Sequence, residues 1–346
     1  MTKKASLAIL IASVFSGVYG QENAGSTKIS GSLDAYYRFN ARKGNNLTSF
    51  TNKQNSFELG MASLKAEHKF NKASVVADLG FGTRAEEFSY NDKGTLLALK
   101  QAYVIYSPIK SVKLTMGKFA THIGYEVLDA SGNKNYSMSY MFSFGPFFHT
   151  GLKADIGLGD KSAIMLGVAN AADHTTIDFL KNGGEKSVLA QFTTASSEEK
   201  LKVALNFVGN GYGTNLSRSQ IDAVVTCTVT DKLGIGYNGT TTLFKPEKGN
   251  SSNWWGSAIY VNYAVKQGVD FIWRSEYFSD KKYATTPVAS NIFQNTLSAN
   301  FKAGFLTLIP ELRIDNAQDP VFPERMEALQ KTLSLPFLLR CTAFNN

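Results

Sequence analysis

The stretch "GVDFIWRSEYF", residues 268–278, decides the fold. Val269, Phe271, Trp273 and Tyr277 fall on one face of an extended chain. Asp270, Arg274 and Glu276 fall on the other, with Ile272 the one apolar residue among them. Successive side chains of a strand point to opposite faces of its sheet, so a period of two reads as β. Which face meets water is a separate matter. In a soluble protein the aromatic face is core and the charged face is surface. In an outer-membrane barrel the aromatic face meets lipid and the charged face lines a wet interior.

The same alternation recurs along the chain. In "KISGSLDAYYRFN", residues 28–40, Ile29, Leu33, Ala35, Tyr37 and Phe39 oppose Ser30, Ser32, Asp34, Tyr36, Arg38 and Asn40. "KLKVALNF" sets Leu201, Val203, Leu205 and Phe207 against Lys202, Ala204 and Asn206, and "QIDAVVTCTVT" sets Ile221, Ala223, Val225, Cys227 and Val229 against Asp222, Thr226, Thr228 and Thr230. Fifteen such segments run from 28–40 to 304–314.

The connections separate the two readings. Every second one is tight, as at Asn71-Lys72, Gly159-Asp160, Asp231-Lys232 and Lys266-Gln267, with the Asn, Asp and Gly chemistry of reverse turns. Those between are long and polar: 41–55, 84–95, 121–145, 171–185, 210–218, 241–252 and 280–289. Short turns on one rim and long loops on the other is the layout of a transmembrane β-barrel. Inside lipid no backbone group can stay unpaired, so such a sheet must close on itself. Single-chain bacterial barrels have an even strand number, so fifteen visible segments imply about sixteen antiparallel strands.

Composition agrees. Charged residues are 18% of the chain, below the roughly 25% of a soluble domain, and Gly (29), Tyr (15) and Phe (24) supply turns and strands. Residues 1–20 carry Lys3 and Lys4, an apolar run from Ala5 to Val14, and a small-residue end at Val18-Tyr19-Gly20. This is the plan of a secretory signal peptide, since the run is shorter than the ~20 residues of a spanning helix. Cys227 and Cys341 cannot make a disulfide framework in an exported chain of this length. The net charge of +8 is spread out, without the basic cluster that nucleic acid would need.

The end of the chain breaks the pattern. Residues 21–324 read as the barrel, but 325–346, "RMEALQKTLSLPFLLRCTAFNN", show no period of two and place Pro336 mid-segment. A terminal helix or an irregular end is one reading. The other is a coding frameshift after about Glu324 that replaced the last strand and left the barrel open.

Residues 97–152 carry a family resemblance. Gln101-Ala102-Tyr103, Gly117-Lys118-Phe119 with Thr121, Gly124-Tyr125-Glu126, Asn135-Tyr136-Ser137, Pro146 and His149-Thr150-Gly151 are similar to the OmpL-like putative β-barrel porin family of Gram-negative outer membranes. "PELRID", Pro310 to Asp315, resembles that family's penultimate strand, and the similarity extends to about Glu324. The resemblance implies an outer-membrane barrel passing small solutes passively.

The longest connection, 121–145, follows the fifth segment. By analogy with general porins it folds inward and narrows the channel. It holds Glu126, Asp129 and Lys134. By phase, Asp34, Arg38, Asp78, Lys202, Asp270, Arg274, Glu276, Glu311 and Arg313 face inward. Acids opposed to basic wall residues would set ion preference; equally, Glu126 and its neighbours could only pin the loop. Phe39, Trp255, Trp273 and Tyr277 are lipid-facing girdle candidates.

Enzyme signals are weak. The four histidines lack metal-ligand spacing, and "GNGYGTN" at 209–215 imitates a phosphate loop without a following helix. Neither a cofactor nor a metal is expected. The expected partners are outer-membrane lipid and lipopolysaccharide, the barrel-assembly machinery and small solutes, with homo-oligomerisation left open. The competing readings are a secreted all-β binding protein for polysaccharide, a plugged structural barrel, and an enzyme built on a barrel.

Overall fold

The computed structural model describes residues 25–41, 44, 46–178, 186–209, 216–280 and 285–322, and the backbone of 331–345. The signal-peptide expectation for 1–20 and most of "GNGYGTN" lie outside the described residues.

The strands are β1 (Ser26–Asn40), β2 (Ser56–Phe70), β3 (Ala73–Phe81), β4 (Leu99–Ile109), β5 (Val112–Ala120), β6 (Phe148–Gly157), β7 (Ser162–Asn170) and β8 (Lys186–Ala195). There follow β9 (Leu201–Gly209), β10 (Leu216–Thr228), β11 (Leu233–Pro246), β12 (Ser252–Lys266), β13 (Val269–Ser279), β14 (Asn291–Ala303), β15 (Leu306–Leu308), β16 (Glu311–Ala317) and β17 (Lys331–Asn345). Neighbours pair antiparallel, and β15 and β16 are two halves of one strand: both pair with β14 on one side and β17 on the other. The break falls at Ile309-Pro310, where proline has no N–H to give the ladder. Its carbonyl still accepts from Ala299 N–H at 3.1 Å. Counted so, sixteen strands span the wall.

β1 pairs with β2 on one side and β17 on the other, so the sheet closes. The gap expected at the tail is absent: the backbone of 331–345 occupies the closing position, with Pro336 opposite Arg38. Backbone pairing needs only N–H and C=O groups on the two facing edges. It does not require the side-chain alternation whose loss marks this segment in the sequence.

The faces resolve the reading of residues 268–278. Trp273 is 43% exposed and Phe271 and Tyr277 project beside it, whereas Arg274 is 0% exposed and Asp270 and Glu276 are buried. Phe39 and Trp255 also project outward. The same exposed apolar belt continues through Val104, Met116, Leu152, Leu166, Leu205, Ile221 and Ile259. It far exceeds the apolar patches that soluble monomers tolerate, and burying it in lipid gains roughly 25 cal/mol per Å².

One connection is shorter than its sequence implies. The region read as a loop at 241–252 is mostly strand, because β11 runs to Pro246 and β12 begins at Ser252. Thr240, Thr241 and Thr242 offer no polar contrast between faces, yet Thr240 and Thr242 are buried and Leu243 is exposed, so the alternation continues through them.

Inside, apolar residues pack around the loop that follows β5. Leu128, Met138, Phe142 and Phe147 join Phe50, Met61 and Phe88. Tyr140 and Met141 join Trp254, Ala258, Tyr260, Phe278 and Ile292.

Candidate functional site

Between β5 and β6 the chain turns into the barrel. This loop contains a 3₁₀ turn at Ala130–Gly132 and a short helix at Tyr140–Phe144, capped by Ser139 Oγ, which accepts from Phe142 N–H at 3.1 Å. A helix start leaves backbone N–H groups without internal partners, and here one wall carboxylate takes two of them while a second holds the chain just before the helix. Glu276 on β13 accepts from Tyr140 N–H at 2.9 Å and Met141 N–H at 2.8 Å. Glu311 on β16 accepts from Tyr136 N–H at 2.9 Å and Ser137 N–H at 3.2 Å.

Cations hold the carbonyls of the same segment. Arg274 donates to Ser137 O at 2.6 Å and to Glu126 Oε1 at 2.6 Å, while Glu126 Oε2 accepts from Ser139 N–H at 2.8 Å. Arg313 donates to Met138 O at 2.7 Å and to Asp315 at 2.9 Å. The hydroxyl of Tyr136 donates to Asp34 at 2.5 Å and that of Tyr140 to Asp315 at 3.0 Å. Burial pushes both hydroxyls well above the usual phenol range. Gly60 leaves the room this needs, because a side chain there would occupy the space of the Asp34 carboxylate and the Tyr136 hydroxyl.

Five of the inward-facing candidates, Asp34, Arg274, Glu276, Glu311 and Arg313, therefore converge on residues 136–141, together with Glu126 of the loop itself. The others do not. Asp78 and Asp129 meet through Lys100, at 3.0 and 2.6 Å. Arg38 holds the first loop through the carbonyls of Gly44 and Lys53, each at 3.3 Å. Lys134 is exposed, and its carbonyl accepts from Asn300. Asp270 pairs with Lys302 at 2.6 Å beside a short turn, and Lys202 lies exposed, 3.6 Å from Glu199 at another. The loop acids thus touch the wall cations directly instead of facing them across open water.

Several site residues were not singled out by phase. Lys100 is one: simple alternation would put it outside with Val104 and Tyr106, but the β3–β4 register shifts between Asp78 and Leu79 and turns it in. Arg84 comes from the helix Thr83–Phe88. It donates to Leu128 O at 2.9 Å and lies 4.8 Å from the Tyr136 ring centre. Lys118 pairs with Asp92 at 2.8 Å. Asp315 lies in the quoted "PELRID", where its position two residues from Arg313 was the available signal.

The opposite wall holds the loop's first residues differently. Ile123 packs with Phe119, Met165, Ala169, Leu189 and Val208. The His122 ring lies 5.5 Å from that of His149, and its Nε2 sits 3.0 Å from Phe207 O. Burial holds the His122 imidazole down to about 4. Beyond it, Gly124 N–H donates to Asp222 at 3.0 Å.

Among the described residues there is no group of three or more His, Cys, Asp or Glu suited to a metal. No described helix is long and apolar enough to cross a membrane.

A closed barrel, apolar outside and ionic within, with one loop drawn across its interior, defines the class of outer-membrane channel proteins. Residues 26–338 match the family described as Putative beta-barrel porin-2, OmpL-like, and the chain belongs to that family of porins. The match passes Glu324, where the resemblance was expected to stop, and enters β17. No curated protein matches the chain. Among solved structures it is similar to the outer-membrane channel DcaP of Acinetobacter baumannii, with 9% identity and a TM-score of 0.61 over 94% of this chain and 99% of that one. The anion-selective porin from Comamonas acidovorans gives 11% and 0.64 over 92% and 100%. The trimer form of OmpT of Vibrio cholerae gives 10% and 0.62 over 93% and 100%. At these identities the likeness is one of fold.

Proposed function

We propose that this porin conducts small hydrophilic solutes by passive diffusion, through a lumen narrowed by the loop between β5 and β6. One observation carries the reading: charges on one wall, from β13 and β16, grip the backbone of residues 136–141, Glu276 and Glu311 taking N–H groups and Arg274 and Arg313 taking carbonyls. A loop that only lay over the mouth would need no such anchoring inside. The reading calls for no cofactor and no catalytic group. A plugged, non-conducting barrel is the second reading, favoured by the apolar clusters packed inside the wall. Proteoliposome swelling separates the two: influx that slows as solute size rises supports diffusion, and no swelling by any solute supports the plug.

The remaining features follow as proposals. The leader at 1–20 is cleaved on export, and the barrel-assembly machinery inserts the chain into a membrane whose outer leaflet is lipopolysaccharide. A homo-oligomer is proposed on the example of the OmpT trimer form, and cross-linking in the membrane tests it. The frameshift reading of 325–346 remains a statement about the gene, and a coding sequence whose alternative frame offers no alternating strand would remove it.

A further inference from the structure

The lumen sorts its charges by depth. Glu276, Glu311 and Asp222 are buried, and each already accepts from loop N–H groups. Asp78 is buried as well, 3.0 Å from Lys100. What stays in the water is mostly ammonium. Residues opposite each other on paired strands share a face, so half-buried Lys65 faces inward with Asp78, and Lys113 faces inward with Asp155. The side chain of Lys113 is 48% exposed and that of Lys153, two residues before Asp155, is 21% exposed. Nearer the short turns, Lys202 lines a cavity of about 350 Å³ with Thr193, Ala204 and Thr226. That rim is balanced, Lys161 and Lys202 standing against Asp160 and Glu199. The uncompensated charge lies deeper, on β5 and β6.

One row of paired residues places it where the loop enters. Thr115, Lys153, Gly167, Leu189 and Val208 stand opposite one another in turn across β5 to β9. Ile123, at the root of the loop, packs on Leu189 and Val208. Gly167 puts no side chain between that contact and Lys153, and an added Cβ there would come within 2.9 Å of the Lys153 Cβ. The Lys153 ammonium lies 5.4 Å from the Phe119 ring centre, in the same apolar cluster as Ile123. Lys153 therefore stands in water at the level where the loop narrows the lumen.

Its only ionic partner among the described residues is shared. Lys153 Nζ lies 3.3 Å from Asp155 Oδ1, and Lys113 Nζ lies 3.4 Å from Asp155 Oδ2. One carboxylate thus faces two cations. Both distances exceed the roughly 2.7–2.9 Å of a tight charge-assisted bond, and each ammonium has three donors, so donors remain for a passing solute. We propose that the passage beside the loop selects small anions, with Lys153 and Lys113 as the specificity-determining residues and Asp155 as the carboxylate that tempers them. An anion meets unused donors there, whereas a cation meets two like charges and a carboxylate already engaged. The proposal rests on the porin reading, whose permeant class it names.

The zero-current potential across a planar bilayer in a tenfold KCl gradient tests it. The dilute side should settle negative, because chloride crosses more readily than potassium. Lys153→Gln should lower the chloride-to-potassium permeability ratio about twofold, roughly the factor that a unit charge about 8 Å away exerts through water. Lys113→Gln should lower it in the same sense, and takes the place of Lys153→Gln if that variant gives no heat-modifiable band on a gel. Asp155→Asn should raise the ratio, a change of opposite sign that general loosening of the wall would not produce. Lys245→Gln, which removes the same charge from the outer face of β11, should leave it unchanged. A conducting wild type whose dilute side settles positive would overturn the proposal while leaving the porin reading intact. So would a ratio unmoved by the lysine variant and by Asp155→Asn, or one lowered as much by Lys245→Gln. No current from folded wild type would remove the porin reading and the proposal with it.

Discussion

Two walls of this barrel hold one loop by different means. The wall of β1, β13, β14 and β16 grips residues 135–141 with charges and directed hydrogen bonds, from Asp34 round to Asp315. The wall of β5, β7, β8 and β9 holds Ile123 with Phe119, Met165, Leu189 and Val208, mainly by contacts that have no preferred direction, with the His122 ring on Phe207 O as its directed contact. Hydrogen bonds to named backbone atoms fix position, whereas apolar packing excludes water and tolerates small shifts. The difference teaches that the ionic wall sets where the loop lies and the apolar wall seals its root.

Arg274→Ala should test this hardest. It strands Glu126 as a buried carboxylate without its cation, a loss of about 3–5 kcal/mol. It also frees the Ser137 carbonyl, so denaturant unfolding should shift down and unitary conductance should rise. Leu189→Ala, on the other wall, should cost about 3 kcal/mol through the cavity it leaves yet barely change conductance, because no backbone atom of the loop's tip is released. If it opened the channel as Arg274→Ala does, the distinction between the walls would collapse.

Glu276→Gln keeps the shape but turns one accepting oxygen into an NH2 group, so one of the two bonds to Tyr140 and Met141 is lost and the other loses its charge, for about 2 kcal/mol, and current noise should increase. The smallest effect is on pH. Burial favours neutral His122 in the folded state, so the unfolded chain binds more protons between its ordinary value near 6.5 and about 4. Stability should therefore fall as pH drops through that window, by about 1 kcal/mol between roughly pH 7.5 and 5.5. The drop should be smaller in His122→Gln. A profile unchanged by that substitution would place the titration elsewhere.

Much of the wall was legible because alternation is a local property. Residues 268–278 display both faces within one strand, and the inward phase of Asp34, Arg274, Glu276, Glu311 and Arg313 follows directly. Phase gives the face but not the depth. Lys202 and Asp270 share it with Arg274, yet they stand beside short turns, away from the loop. Lys100 escaped because a register shift re-aims it. Arg84 escaped because it sits in a connection with no period to read. The pairing of Glu276 with Tyr140 and Met141 joins positions more than 130 residues apart, and no local pattern announces such a contact. The seam at β17 was illegible for the converse reason: backbone pairing leaves no mark on side-chain order.

Single-channel recording in a salt gradient tests the central claim most directly, comparing folded wild type with Arg274→Ala. The account predicts stepwise ohmic openings, a reversal potential displaced from zero, and a larger unitary conductance in the variant, whose loop has lost its ionic hold. Silence from wild-type protein that is heat-modifiable on a gel, or equal conductance in the two proteins, would contradict it.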